Sequence, residues 1–189
     1  VASWLRMRGR ALRLFAPASL VLAGWLAFAG SEPSSAQAQA SGARFEGVAT
    51  CAGSTCHGRS EGNGAIVRQD EIASWQEPSS ASGAHSRAYS VLASRRGRQI
   101  AQSLGLGAAT SAPACLGCHA TYVPQSRRGA RFHPSDGVGC ESCHGAAEGW
   151  LQVHYEKGAS HASNVRAGLV PLQDPQVRAK VCLDCHYGS

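Results

Sequence analysis

All eight cysteines of this sequence fall in four pairs, and each pair is followed at once by a histidine. The four groups are Cys51, Cys56 and His57; Cys115, Cys118 and His119; Cys140, Cys143 and His144; and Cys182, Cys185 and His186. Two cysteines with an adjoining histidine form the attachment signature of haem c, in which the thiols bind the macrocycle and the imidazole binds its iron. The pattern therefore predicts four covalently bound haem c groups, with these histidines as the proximal iron ligands.

The spacing within the second, third and fourth pairs fits a single turn of helix. In the second pair, Cys115 and Cys118 stand three positions apart and His119 follows directly, so the three side chains share one helix face. The first pair has four intervening residues instead of two, which an ordinary turn cannot accommodate. We expect a bulged loop there, permitted by Gly53 and its small neighbours.

Three other interpretations of paired cysteines account for less of the pattern. Disulfides suit an exported chain, but they leave the histidine after each pair unexplained, and cysteines two residues apart are awkward to bridge. Structural zinc sites do not require a histidine directly after each pair. A thioredoxin-like redox motif uses one pair rather than four. Haem attachment is favoured, and zinc and disulfides stay open as alternatives.

Four more histidines match the number of irons that the motifs predict. These candidates for the distal axial position are His85, His154, His161 and His133. The first three lie in or at the start of helical patterns, whereas His133 lies in an irregular stretch; without it, one iron would be five-coordinate. The single methionine, Met7, precedes residue 41, so we expect bis-histidine or open iron, which has a lower reduction potential than methionine-ligated iron.

The first forty residues have the features of an export signal. Four arginines precede an apolar stretch over 14–29, and small and polar residues then lead to two Ala-x-Ala cleavage sites, which end at Ala38 and Ala40. We expect residues 1–40 to be removed as a signal peptide and residues 41–189 to form a tetrahaem domain without a membrane span, located in the periplasm or otherwise exported. A retained membrane anchor is the alternative.

The charge of residues 41–189 is modest, because 14 Lys and Arg oppose 11 Asp and Glu and leave +3. This excess is too small and too scattered for a nucleic-acid-binding protein. Eight haem propionates would bring the total to about −5 with ferrous irons, so we expect redox partners with basic docking surfaces. The two arginine clusters are interpreted as a solvated helix face (Arg95, Arg96, Arg98) and a solvated loop (Arg127, Arg128, Arg131).

A domain of this length that carries four haems cannot build an ordinary apolar core, so the haems themselves should complete it. Sequence patterns predict helices over 71–76, over 85–104 with a break near Gly97, over 146–157, and from Pro175 into the last motif, with Asp174 as its N-cap. Little period-two alternation supports strands. The expected fold is mostly α with extensive loops and little β, wrapped around a haem core.

The motif segments also resemble a known family. CLGCH, SDGVGCESCHG and DPQVRAKVCLDCH, with AHSRAY upstream, are similar to the tetrahaem and multihaem periplasmic cytochromes of the cytochrome c-554 type. The resemblance covers most of residues 45–188, and the wider first motif, CAGSTCH, departs from it. The resemblance implies a helical fold around haems that pack in close pairs and exchange electrons. It also implies that His85, His154 and His161 are distal ligands, and that one haem can lack a distal protein ligand.

Together these features predict an electron carrier, rather than an enzyme, that passes electrons between redox partners through closely packed low-potential haems. The alternative is a small haem reductase or oxidase of nitrogen or sulfur compounds, or a gas-binding cytochrome, that uses one five-coordinate haem. Catalysis would also need proton donors near the open iron, and Arg131, His133 and Asp136 are the candidates for that role.

Overall fold

The computed structural model describes residues 42–80 and 82–187, and within these ranges the chain forms short helices joined by loops. The α-helices are α1 (Val48–Cys51), α2 (Glu71–Gln76), α3 (Gly83–Ser86), α4 (Arg95–Ser103), α5 (Pro113–His119), α6 (Cys140–His144), α7 (Leu151–His154), α8 (His161–Arg166) and α9 (Pro175–His186). Four 3-10 helices span Ser90–Ala93, Gln125–Arg127, Pro134–Asp136 and Ala147–Gly149. Strand-like pairing in these ranges is limited to a bridge between Phe45 and Arg128. The mostly α fold predicted from the sequence is confirmed.

The predicted export signal, residues 1–40, lies outside the described residues. Within the two described ranges, no helix has the length and apolarity that crossing a membrane would require.

The apolar core of the described residues is small and forms two clusters. The first comprises Leu92, Ala101, Ala109, Leu116 and Ala120, and it joins the 3-10 helix Ser90–Ala93 to α4 and α5. The second comprises Phe45, Val123, Phe132 and Ala146. Four of these nine residues are alanines, so the chain buries little apolar surface of its own. This supports the expectation that macrocycles complete the core.

The region predicted as one helix over 85–104 is divided in the structure, and the break predicted near Gly97 lies three residues earlier, at Ser94. The chain forms α3, a 3-10 helix and then α4, and the last break falls at Ser94, whose extended backbone (φ −66°, ψ 163°) and hydroxyl cap α4 by accepting from the Gly97 N–H at 3.0 Å. A Cβ at Gly97 would lie 2.5 Å from the Leu92 carbonyl oxygen. Glycine at this position therefore allows α4 to pack closely on the preceding helix.

The helix predicted over 146–157 is also shorter than expected. A 3-10 helix over Ala147–Gly149 precedes α7, which ends at His154. At Gly149 the backbone lies so close to the Ala167 carbonyl that a Cβ would approach its oxygen to 2.7 Å. Packing against the segment after α8 thus overrides the helical pattern.

Two other predicted helices are confirmed. The range 71–76 coincides with α2, and α9 begins at Pro175 as expected. The Asp174 carboxylate caps α9 by accepting from the Gln176 N–H at 2.8 Å and the Val177 N–H at 3.4 Å. Both signals were local, because a cap residue and a proline fix a helix start without tertiary contacts.

The predicted solvated loop at the second arginine cluster is wrong for two of its three residues. Arg127 donates to the Ala43 carbonyl at 2.9 and 3.0 Å and lies 5.1 Å from the Phe45 ring centre. Arg128 donates to the Val123 carbonyl at 3.0 Å and lies over a second aromatic ring. Both residues are half-buried. The Arg127 guanidinium fastens the segment before α1 to the fold, and the Arg128 guanidinium packs within its own loop, against Val123 and Phe132.

Candidate functional site

Three of the four cysteine–histidine motifs lie on helices, as their spacing predicts. The second motif occupies the end of α5, the third coincides with α6, and the fourth forms the last turns of α9. Pro113 occupies the first turn of α5, where its missing N–H costs no helical hydrogen bond. Each of these helices therefore presents two thiols and an imidazole on one face.

The first motif forms the expected loop instead of a helical turn. α1 ends at Cys51, and the chain then turns back so that the His57 N–H donates to the Cys51 carbonyl at 3.2 Å. Inside the loop, the Cys56 and Gly58 N–H groups both donate to the Gly53 carbonyl, at 2.8 and 3.0 Å. The His57–Cys51 bond holds the histidine close to the first cysteine, which is the arrangement that the other motifs obtain from a helix.

The His57 imidazole has a carboxylate partner that the sequence analysis did not identify. Its Nδ1 lies 3.0 Å from Oε2 of Glu71, and Oε1 of Glu71 accepts from the Arg68 N–H at 2.7 Å. Burial opposes ionisation of Glu71, but hydrogen bonds from His57 and from backbone N–H groups lower its pKa. The ionised carboxylate therefore accepts a hydrogen bond from the Nδ1–H group and leaves Nε2 as the metal ligand. The only sequence signal was an acidic residue at the start of the predicted helix 71–76.

Two further histidines have Nδ1 satisfied by a backbone carbonyl. His119 Nδ1 lies 2.8 Å from the Ala88 carbonyl oxygen, and His154 Nδ1 donates to the Leu151 carbonyl. A carbonyl oxygen can only accept, so in both rings Nδ1 is the donor and Nε2 is the nitrogen that can face a metal. This is the usual state of a metal-binding histidine.

The structure places two predicted proximal histidines opposite two predicted distal ones. The ring centres of His57 and His154 are 6.3 Å apart, and their planes differ by 11°. The ring centres of His85 and His186 are 6.1 Å apart, and their planes differ by 64°. A metal–nitrogen bond of about 2 Å and roughly 1 Å more to the ring centre place two axial imidazoles of one metal roughly 6 Å apart. Both pairs match the spacing of bis-histidine ligation.

The other two distal candidates have a different placement. Among the described rings, neither His133 nor His161 contacts His119 or His144. His161 begins α8 and is exposed. His133 is exposed and lines a cavity of about 580 Å³ that α1 also lines, together with Asp136. Burial raises the pKa of Asp136.

The four motifs are neighbours in space, through cysteines of different pairs. The helices that carry them are in contact, α1 with α6, α6 with α9, and α5 with α9, and the thiols that interact across these contacts are Cys51 with Cys140, Cys143 with Cys182, and Cys118 with Cys185. A hydrogen bond between the first two raises the pKa of Cys51 and lowers that of Cys140. The motifs therefore follow one another in the spatial order first, third, fourth, second.

Glu141, inside the third motif, connects the first and third motifs, and the sequence analysis missed it. Its carboxylate accepts from the backbone N–H groups of Glu46 at 2.8 Å, Gly47 at 2.7 Å and Ala147 at 2.7 Å. The residue is 4% exposed. Burial raises the pKa of Glu141, and the three N–H donors oppose this rise. The contacts fasten the entry to α1 against α6.

The donor set fits haem. Besides four Cys–Cys–His groups and two opposed histidine pairs, two buried donors, Arg59 Nε and Trp150 Nε1, have no partner among the described residues. Arg59 is two positions after His57, and the Trp150 ring centre lies 5.5 Å from that of His154. Buried donors of this kind are normally satisfied, and the carboxylates of a porphyrin would satisfy them.

A model of the family described as cytochrome c554 and c-prime matches residues 50–145, which is 96 of the 189 residues and includes the first three motifs. No curated protein and no solved structure matches the chain.

Proposed function

The chain belongs to the cytochrome c554 and c-prime family, which implies covalently bound haem c and a role in electron transfer, and on that premise we propose that residues 41–189 bind four haem c groups and carry electrons between redox partners. Haem iron supplies one-electron redox chemistry. The chain attaches the macrocycles through the eight cysteines named above and binds their irons through His57, His119, His144 and His186.

The axial ligands are assigned from the ring geometry. His154 is the distal ligand opposite His57, and His85 is the distal ligand opposite His186, because each pair has the separation of two imidazoles on one metal. His161 and His133 stay candidates for the irons at His119 and His144. Arg59 and Trp150 bind propionate carboxylates beside the first pair.

The spatial order of the motifs supports a single path of electron transfer. Neighbouring cysteines place the first motif beside the third, the third beside the fourth, and the fourth beside the second. The first and second motifs are thus the two ends of the path, at which donor and acceptor would dock. The export signal predicted over residues 1–40 supports a periplasmic location, and the predicted negative charge supports partners with basic docking surfaces.

The observation that carries the proposal is the packing of four Cys–Cys–His groups side by side. It is tested by the haem content per chain of the purified protein, measured as pyridine haemochrome and by intact mass. We expect four haems, and three in the variant Cys51→Ala/Cys56→Ala. A wild-type chain with the mass of bare polypeptide would contradict the proposal. Electron paramagnetic resonance reports the ligation, since a high-spin signal would mark the open iron that a reductase or a gas-binding protein requires.

A further inference from the structure

Charge is distributed very unevenly along this chain. Residues 78–135 contain seven arginines and no lysine, aspartate or glutamate, whereas the rest of 41–189 has seven basic and eleven acidic residues. The middle segment therefore has a charge of +7 and the remainder −4. The net charge of the whole domain conceals a strongly basic region.

Five of the seven arginines in this region are exposed, and three of these, Arg95, Arg96 and Arg98, lie together on α4. Arg98 also donates to the Ala93 carbonyl, whereas Arg127 and Arg128 are half-buried and used in packing. The ion pairs found among the described residues all lie outside residues 78–135. Two apolar side chains further along the helix are also exposed, Ile100 at 46% and Leu104 at 66%. We call Arg95, Arg96, Arg98, Ile100 and Leu104 the basic face.

The positions of these arginines are unfavourable for the helix itself. All three lie in the first turn of α4, where the helix dipole favours acidic side chains, and this turn contains none. Arg95 and Arg98 are also three positions apart, at which like charges on a helix repel. The sequence therefore retains three positive charges where helix stability disfavours them. Conflicts of this kind between a residue and its local structure concentrate at functional surfaces.

The basic face lies on the element that supports the second motif. Ala101, on the opposite side of α4, packs in the buried cluster with Leu116 of α5, and Cys115 lies against the same cluster. The Ala88 carbonyl, shortly before α4, accepts from His119 Nδ1 at 2.8 Å. A protein that docks on α4 would thus come close to the second motif, which is one end of the spatial order of motifs.

From this placement we propose that the basic face docks an electron-transfer protein with an acidic surface, and that this partner exchanges electrons at the second motif. The proposal rests on the proposed electron-transfer function. The negative domain as a whole is predicted to dock basic partners, whereas this positive surface docks an acidic one. Exposed apolar side chains beside the arginines provide the contact area, and the arginines provide steering and orientation.

The test uses the holoprotein and a reduced plant-type ferredoxin as an acidic probe. The second-order rate of haem reduction is measured from about 10 mM to about 1 M ionic strength, over which the Debye length falls from about 30 Å to about 3 Å. We expect the wild-type rate to fall at least tenfold with salt, as electrostatically steered association does. The variant Arg95→Glu/Arg96→Glu/Arg98→Glu should lose about tenfold at low salt and most of the salt dependence.

A matched control separates local charge from net charge. Lys157→Glu/Arg166→Glu/Arg178→Glu changes the net charge by the same amount at exposed positions outside the basic face, and its rate should fall about twofold at most. The three glutamates on α4 lie in its first turn, where they favour the helix, so we expect this variant to unfold at no lower a denaturant concentration than the wild type. Equal losses in both variants would overturn the docking surface.

Two other outcomes would also overturn it. If the α4 variant shifts the reduction potential of one haem but keeps the wild-type rate and salt dependence, the arginines serve a propionate instead of a partner. If a neutral flavin semiquinone reduces the wild type but ferredoxin shows no salt-dependent reaction with it, the docking surface is contradicted and the electron-transfer function is not. A wild type that neither reductant reduces would instead overturn the electron-transfer function, and the docking surface with it.

Discussion

At the scale of single residues, the properties of a histidine ligand depend on the hydrogen-bond acceptor at its second ring nitrogen. A metal-binding imidazole needs one nitrogen as ligand and the other as donor to a fixed acceptor. The chain supplies a carboxylate behind His57 and backbone carbonyls behind His119 and His154. Because a carboxylate increases the electron density of an imidazole more than a carbonyl does, the irons that these rings bind should differ in potential.

Replacing Glu71 tests this difference. Glu71→Gln keeps the size of the side chain but removes its charge, so the ferric state of the iron at His57 should lose stabilisation. We expect the potential of one haem to rise by roughly 60 mV, the one-electron equivalent of about 1.4 kcal/mol. Potentiometric titration measures the shift. Glu77→Gln, at the other end of α2, should leave all potentials unchanged, and a uniform shift of every haem would contradict a local effect.

Replacing His154 tests the axial pairing. With His154→Ala the iron at His57 loses its sixth ligand, so we expect one of four irons to become high-spin, measured by electron paramagnetic resonance of the oxidised protein. Gln152→Ala, on the same short helix, is the control and should keep the wild-type spectrum. An unchanged low-spin spectrum in His154→Ala would show that a different residue occupies the position opposite His57.

At the scale of elements, the sequence predicted well what local signals determine and poorly what packing determines. The three helical motifs, α2 and the start of α9 follow from spacing, an N-cap and a proline. The start of α4 depends on the Ser94 cap and on close packing of Gly97 against the Leu92 carbonyl, and the 3-10 helix before α7 packs at Gly149 against the Ala167 carbonyl. Likewise, the third motif's sequence does not indicate what the Glu141 carboxylate binds. It accepts from two N–H groups nearly a hundred residues earlier, at Glu46 and Gly47, and from a third that is six residues later, at Ala147.

Gly97 provides a test at this scale, because helix propensity and packing predict opposite effects of Gly97→Ala on the free energy of unfolding. In a free helix, Gly→Ala stabilises by about 1 kcal/mol. Here the added Cβ would lie 2.5 Å from the Leu92 carbonyl oxygen, so α4 must separate from the preceding 3-10 helix. We expect Gly97→Ala to lower the free energy of unfolding by about 1–3 kcal/mol, measured by denaturant titration. Gln99→Ala, exposed on the same helix, should change it by less than about 0.5 kcal/mol.

At the scale of the whole molecule, the packing of the motifs leaves few residues to form a core and makes the bound groups part of the fold. Phe45 and Phe132 pack edge to face in one small cluster, and alanines dominate the other. The neighbouring cysteines connect motifs that are far apart in sequence, and no sequence pattern records which pairs meet. The four motifs could thus be predicted individually, but their spatial order could not.

The charge of the whole molecule gives the last prediction. Residues 41–189 contribute +3, and the eight propionates of the four proposed haems would bring the ferrous protein to about −5. Each iron adds one positive charge when it is oxidised, so the ferric protein should be near −1. We therefore expect native electrophoresis near pH 7 to show faster anodic migration of the dithionite-reduced protein than of the oxidised one. The variant without Cys51 and Cys56 lacks one macrocycle and should show three quarters of this change in charge. A mobility that is independent of redox state would contradict a count of four, because a chain of this size cannot change its charge by so much without moving differently in the field.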